Sequence, residues 1–281
     1  MDHIKIPVAS DIEPNILRVL SYNVQVGIRT TRPHHYVTGS WKHFFPHSKR
    51  LTNLDQIAAT IQPYDIVGLQ EVDAGSLRCN FINLTEYLAE RSKFPYWYHQ
   101  VNRNLGKVAQ HSNGLLSEYR PSVINDIKLP GLIPGRQAIM SAYETEEDSL
   151  VVFVLHMALS RRARLSQFDY LADLVNEFPH VIMMGDLNCR FDSPEMQLLF
   201  RKTKLHEPLE EAHTFPSWRP KHSIDHILVS SELNVRSVEV IGHAQSDHLP
   251  ISMEIELPEK LQLKRMKYEP LDSDNFAKLN A

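Results

Sequence analysis

Carboxylates, amides and imidazoles stand at the ends of apolar runs throughout this chain. Asn23 closes ILRVLSYN, Glu71 follows IVGLQ, and His156 closes LVVFVLH. Asp186 and Asn188 follow VIMMG, Asp225 opens DHILVS, and Asp247 with His248 directly precedes LPISMEI. A strand end holds a side chain on a rigid base without burying its charge in mid-sheet. Oxygen ligands of this kind suit a hard divalent cation. An imidazole beside carboxylates suits proton transfer. Together they are what a metal-assisted hydrolase needs. Asp and Asn also build turns at strand ends for local reasons, so the weight lies on the set rather than on any one member.

The elements that must carry these residues follow from local pattern. Residues 16–24, 66–69, 150–156, 181–184, 224–229, 235–241 and 250–257 are short and largely apolar or β-branched, which predicts strands. Shorter strand-like runs occur at 96–99, 114–116 and 138–143. Leu51, Leu54, Ala58 and Ile61 fall at helical spacing before Pro63, and Phe81, Leu84 and Leu88 predict a second helix ending near Ser92. Leu165, Phe168, Leu171, Ala172, Val175 and Phe178 form a third stripe ended by Pro179, and Ser193-Pro194-Glu195 marks a fourth helix start. Strands that follow one another without helices predict antiparallel or mixed sheets. No repeat or Gly/Ser linker divides the chain, so residues 15–258 read as one α/β domain. A lead-in (1–14) and a charged extension (259–281) flank it.

Six motifs, taken in order, resemble the endonuclease/exonuclease/phosphatase superfamily: YNVQ (22–25), LQEVD (69–73), SNGLLS (112–117), GDLN (185–188), SIDHILVS (223–230) and SDHLPI (246–251). The superfamily includes deoxyribonuclease-like nucleases, sphingomyelinases and inositol-polyphosphate phosphatases. The resemblance implies a four-layer α/β sandwich, two packed mixed β-sheets flanked by helices, with a Mg²⁺ or Mn²⁺ site at one end. It assigns Asn23, Glu71 and Asp247 to the metal. His248 then resembles the catalytic histidine and Asp225 the carboxylate that orients it. Asp186 and Asn188 resemble the groups that hold water and the scissile phosphate, and His156 the second histidine. Asn113 and Arg136, in PGRQAIM, are carried over as substrate contacts. The chain departs from the family pattern where Leu155-His156-Met157 replaces Thr-His-Leu and where Ser112 precedes Asn113. The implied reaction is in-line attack of water on phosphorus.

Composition narrows the partners. Lys+Arg is 30 and Asp+Glu is 34, a formal net charge of −4, which disfavours holding nucleic acid by bulk positive field. A local basic rim is a separate matter. Arg161, Arg162 and Arg164 follow His156, and Trp218 stands beside Arg219 and Lys221. These are candidate contacts to phosphate and to a base or sugar, or simply a solvated helix face and loop packing. The expected partner is a phosphate-ester substrate, nucleic acid among the options, and nothing indicates an obligate protein partner. Two cysteines exclude a disulfide framework. The longest apolar run, 150–155, is too short for a transmembrane helix and residues 1–14 hold no signal-peptide core. The default expectation is cytoplasmic. The aperiodic stretch 29–50 reads as a functional loop beside the active site, and its His34, His35, His43 and His47 offer a weaker zinc reading. Adjacent Ser246, Asp247 and His248 do not make a serine hydrolase, since no GxSxG elbow occurs.

Overall fold

A computed structural model describes residues 15–30, 32, 49–131, 135–209, 211–242 and 245–265. The lead-in 1–14, most of the 29–50 loop with its four histidines, and the tail beyond 265 lie outside the described residues.

Twelve strands form two six-stranded sheets. The first runs β11 (Asn234–Val240), β12 (Ile251–Glu256), β1 (Ile16–Asn23), β2 (Ile66–Asp73), β4 (Gln110–Ser117), β3 (Tyr96–Asn104). The second runs β5 (Val123–Lys128), β6 (Gln137–Glu144), β7 (Ser149–His156), β8 (His180–Asp186), β10 (Asp225–Ser230), β9 (Leu205–His206). Both sheets are mixed: β1 runs parallel to β2 and β7 parallel to β8, while the other pairs are antiparallel.

Strand periodicity explains the layers. In β7, Val152 and Val154 point into the core between the sheets, while Val151, Phe153 and Leu155 point outward under helices. Both faces are dry, so the run reads as continuously apolar rather than alternating. Helices α1 (Lys49–Ile61) and α2 (Leu84–Ser92) cover the first sheet with Leu54, Ile57, Ile61 and Leu88. Helices α3 (Arg161–Val175) and α4 (Pro194–Lys202) cover the second with Phe168, Leu171, Val175 and Leu199. Three apolar cores therefore separate four layers, as the resemblance implied. Ser193 caps α4, its hydroxyl accepting from the Met196 N–H at 3.2 Å. No helix among the described residues is long and apolar enough to cross a membrane.

Two details differ from expectation. Helix α2 begins at Leu84, with Asn83 accepting from the Thr85 N–H at 3.0 Å; Phe81 lies outside the helix, 63 % exposed, with φ +60°. Strand β5, reading VINDIK, was not expected because it is an exposed edge with no apolar face to reveal it. The start of the charged extension, residues 259–265, docks on the sandwich. Leu261 is fully buried in the inter-sheet core, and the Arg265 guanidinium donates to the buried Asp65 carboxylate at 2.5 Å.

Gly185 links this frame to the chemistry. It adopts φ +149°, and a Cβ there would stand 2.0 Å from the Leu155 carbonyl oxygen of the paired strand. Backbone, not a flexible side chain, occupies that space, so Gly185→Ala is expected to lower stability by about 4 kcal/mol or more. A guanidinium denaturation midpoint close to that of the wild type would show that the strands part without penalty.

Candidate active site

Asn23, His156, Asp186 and Asp225 inherit their position from strand alternation. Leu17 and Val19 of β1, Val152 and Val154 of β7, Ile182 and Met184 of β8, and Ile227 and Val229 of β10 all face the inter-sheet core. Counting in twos from them reaches Asn23, His156, Asp186 and Asp225. Each is buried at the mouth end of its strand. His156 pairs directly with Asp186 across β7–β8, and Asp186 with Asp225 across β8–β10. The ladder thus sets three of the chemical groups in one row.

Asp186 is the centre of the network. Its Oδ1 accepts from the Asn188 backbone N–H at 3.0 Å, and its Oδ2 accepts from Asn23 Nδ2 at 3.1 Å. His156 Nε2 and His248 Nε2 lie 3.7 and 3.9 Å from the same oxygen. His248 Nδ1 is hydrogen-bonded to Asp225 Oδ2 at 2.8 Å, and the Thr214 hydroxyl donates to that oxygen as well. Asn188 is held by its side-chain amide donating to the Met157 carbonyl at 3.0 Å. The loop carrying Asp247 and His248 is fastened at both ends of its turn. The Ser246 hydroxyl donates to the Asn23 carbonyl at 2.7 Å, and the Ser217 N–H donates to the Asp247 carbonyl at 2.7 Å. Phe215 packs on the His248 ring with centroids 4.7 Å apart.

Backbone strain concentrates here. Gln25, Val26, Glu71 and Asn188 all have positive φ, between 45° and 55°. Each such conformation costs about 1–3 kcal/mol and persists where the surroundings dictate it. Glu71 occupies the slip in register between Leu69 and Val72 against β4, the kind of irregularity that re-aims a side chain.

Burial and charge set the protonation states. Burial alone would lower the His248 pKa, but the carboxylates of Asp225, Asp186 and Asp247 outweigh it and raise it to about 10. Burial raises Asp186 to about 7, with Asp225 and Glu71 adding to the effect and His248 opposing it. Glu71 is raised by burial and by Asp247, against His248 and a hydrogen bond from Asn23. His156 is held well below its ordinary value by burial and by the nearby cations of Arg136 and His248, so it is a neutral hydrogen-bonding group.

The residues fit a divalent cation. Four carboxylates converge with one protonated histidine between them, and Asp225 Oδ1 is buried without a hydrogen-bond partner. Among the described residues, Asp186, Asp225 and His248 present ligand-type atoms within 4.8 Å of one another. His248 already commits Nδ1 to Asp225 and carries a proton, which makes it a poor ligand. Glu71, Asn23 and Asp247, with a share from Asp186, are the better donors on chemical grounds.

The sequence matches the model of the Endonuclease/Exonuclease/phosphatase family over residues 20–248. The chain belongs to this family. As a member of the endonuclease/exonuclease/phosphatase family it is a phosphoester hydrolase, and its family is metal-dependent. Solved structures agree on the fold. A Beutenbergia cavernae endonuclease/exonuclease/phosphatase superposes with a TM-score of 0.67 at 18 % identity, covering 87 % of this chain and 72 % of that one. A Bacteroides thetaiotaomicron mannosyl-6-phosphatase gives 0.64 at 18 %, covering 85 % and 99 %. The human Nocturnin catalytic domain with bound sulfate gives 0.63 at 19 %, covering 89 % and 94 %. No curated protein matches the chain significantly by sequence.

Around this endonuclease/exonuclease/phosphatase centre the remaining candidates divide. Arg136 reaches it: Nη1 donates to the His156 carbonyl at 3.3 Å, and its charge lies beside Asp186 and Glu71. Asn113 is buried on the inner face of β4, donating to the Gln137 carbonyl at 3.2 Å, with Oδ1 unpartnered. Trp218, half-buried, follows Ser217, which grips the Asp247 loop. Arg161 and Arg162 are exposed at the start of α3. Arg164 is not brought to the rim. Its guanidinium is buried against Glu195 at 2.7 Å and donates to the Ala158 and Leu159 carbonyls, bracing α3 on α4. Sequence reasoning missed Thr214, Phe215, Ser217 and His111. The TFPS run just ahead of SIDH was the available signal for the first three. His111 lies near Arg78, Arg103 and Arg136 and is pushed down to about 4 by burial and by those cations.

Proposed function

We propose that this chain is a divalent-metal-dependent phosphodiesterase with nuclease-like chemistry, working with Mg²⁺ and with Mn²⁺ as a substitute. The observation that carries the reading is the buried Asp225–His248 pair facing Asp186 at 3.9 Å across the strand ends. Asp225 fixes the tautomer and orientation of His248, so Nε2–H faces the reacting centre. Asp186, itself oriented by Asn23 and the Asn188 N–H, holds the attacking water. His156 donates a neutral hydrogen bond to a phosphoryl oxygen, and Arg136 places positive charge beside it. A bound cation on Glu71, Asn23 and Asp247 supplies charge neutralisation on the phosphoryl oxygens. Protonated His248 balances the charge that develops during in-line displacement.

A second reading is a phosphatase or lipid phosphodiesterase using the same site, and one observation favours its lipid form. Leu77 and Phe81 are exposed on the loop that follows the Glu71 strand. The two readings separate in a panel of single- and double-stranded DNA, RNA, an abasic duplex, inositol phosphates and phospholipids, each with Mg²⁺ and Mn²⁺. Polynucleotide cleavage that weakens steeply with salt, as phosphate contacts release counterions, supports the nuclease-like reading. Fast turnover of a small ester with inert polynucleotide overturns it. No turnover with any divalent ion would leave a binding protein that kept the fold.

A further inference from the structure

Large apolar side chains cluster at the mouth of the sandwich. Leu77 and Phe81 stand on the loop after β2; Leu105 and Val108 stand on the tip of the β3–β4 hairpin. All four are exposed, Phe81 at 63 %. The two loops form one unit. The Leu77 N–H donates to the Lys107 carbonyl at 2.8 Å and the Arg78 N–H to the Val108 carbonyl at 3.4 Å. Beneath them the buried Asp73 carboxylate accepts from Ser76 N–H at 2.6 Å, Arg78 Nε at 2.6 Å and Gln110 N–H at 3.1 Å. Asp73 lies two residues after Glu71 on the same strand, so this rigid platform borders the active site.

Its charge is one-sided. Residues 74–81 and 102–110 contain no Asp or Glu, while Arg103 and Lys107 are exposed among the apolar tips. The opposite lip also sets an apolar tip beside cations: Leu159, 76 % exposed, is followed by the exposed Arg162 and by Arg161, whose Nε lies 3.5 Å from Glu195 Oε2. Phe81 adds an independent sign. It and Asn80 both sit in the left-handed region, φ +60° and +54°. A bulky aromatic there is strained, while Asn tolerates the conformation. Folding alone gives no reason to keep an exposed phenyl ring at such a place.

We infer that this platform is a docking surface for an anionic phospholipid bilayer. Aliphatic tips entering the headgroup boundary beside Lys and Arg, on a rigid base, are the ingredients of interfacial binding. The aliphatic character of three of the four tips argues against a single-stranded nucleic acid, which needs aromatic platforms. Docked this way, the mouth between the two lips faces the membrane. The inference holds whatever the ester is, because binding is read without turnover.

The test sediments the full chain with phosphatidylcholine vesicles, with and without a minority of phosphatidylserine. Wild type is expected to pellet with the anionic vesicles and less with the neutral ones. Phe81→Asn is expected to lower partition about tenfold or more while its melting temperature stays equal or rises and hydrolysis of a soluble ester is unchanged. Lys107→Glu is expected to lower partition only where phosphatidylserine is present. The inference is overturned if wild type stays in the supernatant, or if Phe81→Asn pellets as well as wild type. Two further outcomes overturn it by naming another occupant. These are self-association of wild type that Phe81→Asn abolishes without vesicle binding, and oligonucleotide binding lost in that variant without vesicle binding.

Discussion

His248→Ala is expected to lower kcat/KM for a phosphodiester by about 10²–10⁴-fold, the range associated with a positioned proton-handling group. The ring is buried, packed on Phe215, and hydrogen-bonded to Asp225 at 2.8 Å, so no solvent molecule takes the same place with the same orientation. Asp225→Asn separates the two halves of the pair. It keeps the shape and removes the charge that fixes the tautomer, so its loss should be large but smaller. Thr214 still donates to the remaining oxygen and helps hold the turn. The discriminating measurement is kcat and KM at saturating metal, with melting temperature as the folding control. A His248→Ala enzyme that is folded and as active as wild type would remove this residue from the site.

Glu71→Gln should uncouple metal binding from stability. In the metal-free protein, His248 holds its proton to about 10 and Asp186 to about 7, each above its ordinary value. The folded state then binds more protons than the unfolded state over that window, so stability falls as pH rises. For Asp186 the fall runs from its ordinary carboxyl range to about 7, and for His248 from 6.5 to about 10. His156 has the opposite sign, but its effect ends at its ordinary value of 6.5. The metal-free protein should therefore melt progressively lower between about pH 7 and pH 9. If the proposed ion binds, Mg²⁺ at about 100 times its Kd is expected to add about 2.7 kcal/mol, on the order of 5–10 °C for a chain of this size. Glu71→Gln removes a raised, buried carboxylate, so it should melt at or above wild type without metal and lose most of the Mg²⁺-induced gain. Thermal melts over that pH range with Mg²⁺ and with chelator check both parts. An undiminished Mg²⁺ shift in Glu71→Gln would place the ion elsewhere.

What the sequence could reveal followed from burial. Strands β7, β8 and β10 are dry on both faces, so their apolar runs stood out and their polar ends with them. The motif order then pointed to the family and to Asn23, Glu71, Asp186, Asp225 and His248. Residues whose role depends on a distant partner carried no such signal. Arg164 looked like one of three rim arginines; only the fold brings Glu195 beneath it and turns it inward. Phe81 kept helical spacing with Leu84 and Leu88, yet Asn83 caps the helix after it. The polar edge β5 lacked the alternation that marks a half-buried strand. Arg265 lies within the charged extension, and its partner Asp65 stands far away in sequence, so nothing local marked the pair. His226, wholly buried, bonds Glu207 at 2.7 Å and the Cys189 carbonyl at 2.8 Å, a tie invisible to any local reading.

The row His156, Asp186, Asp225 is made of directly paired ladder positions, and pairing has a parity. A slip of one residue between β8 and β10 would not weaken the site by degrees; it would turn Asp225 to the helix side and bring a neighbour inward. These three groups consequently have no half-assembled arrangement open to them while the second sheet stands, and His248 is tied to them through Asp225. Competence for chemistry and integrity of the second sheet switch together, so heat or denaturant should abolish both at one midpoint, whereas a centre borne wholly on loops could fray first.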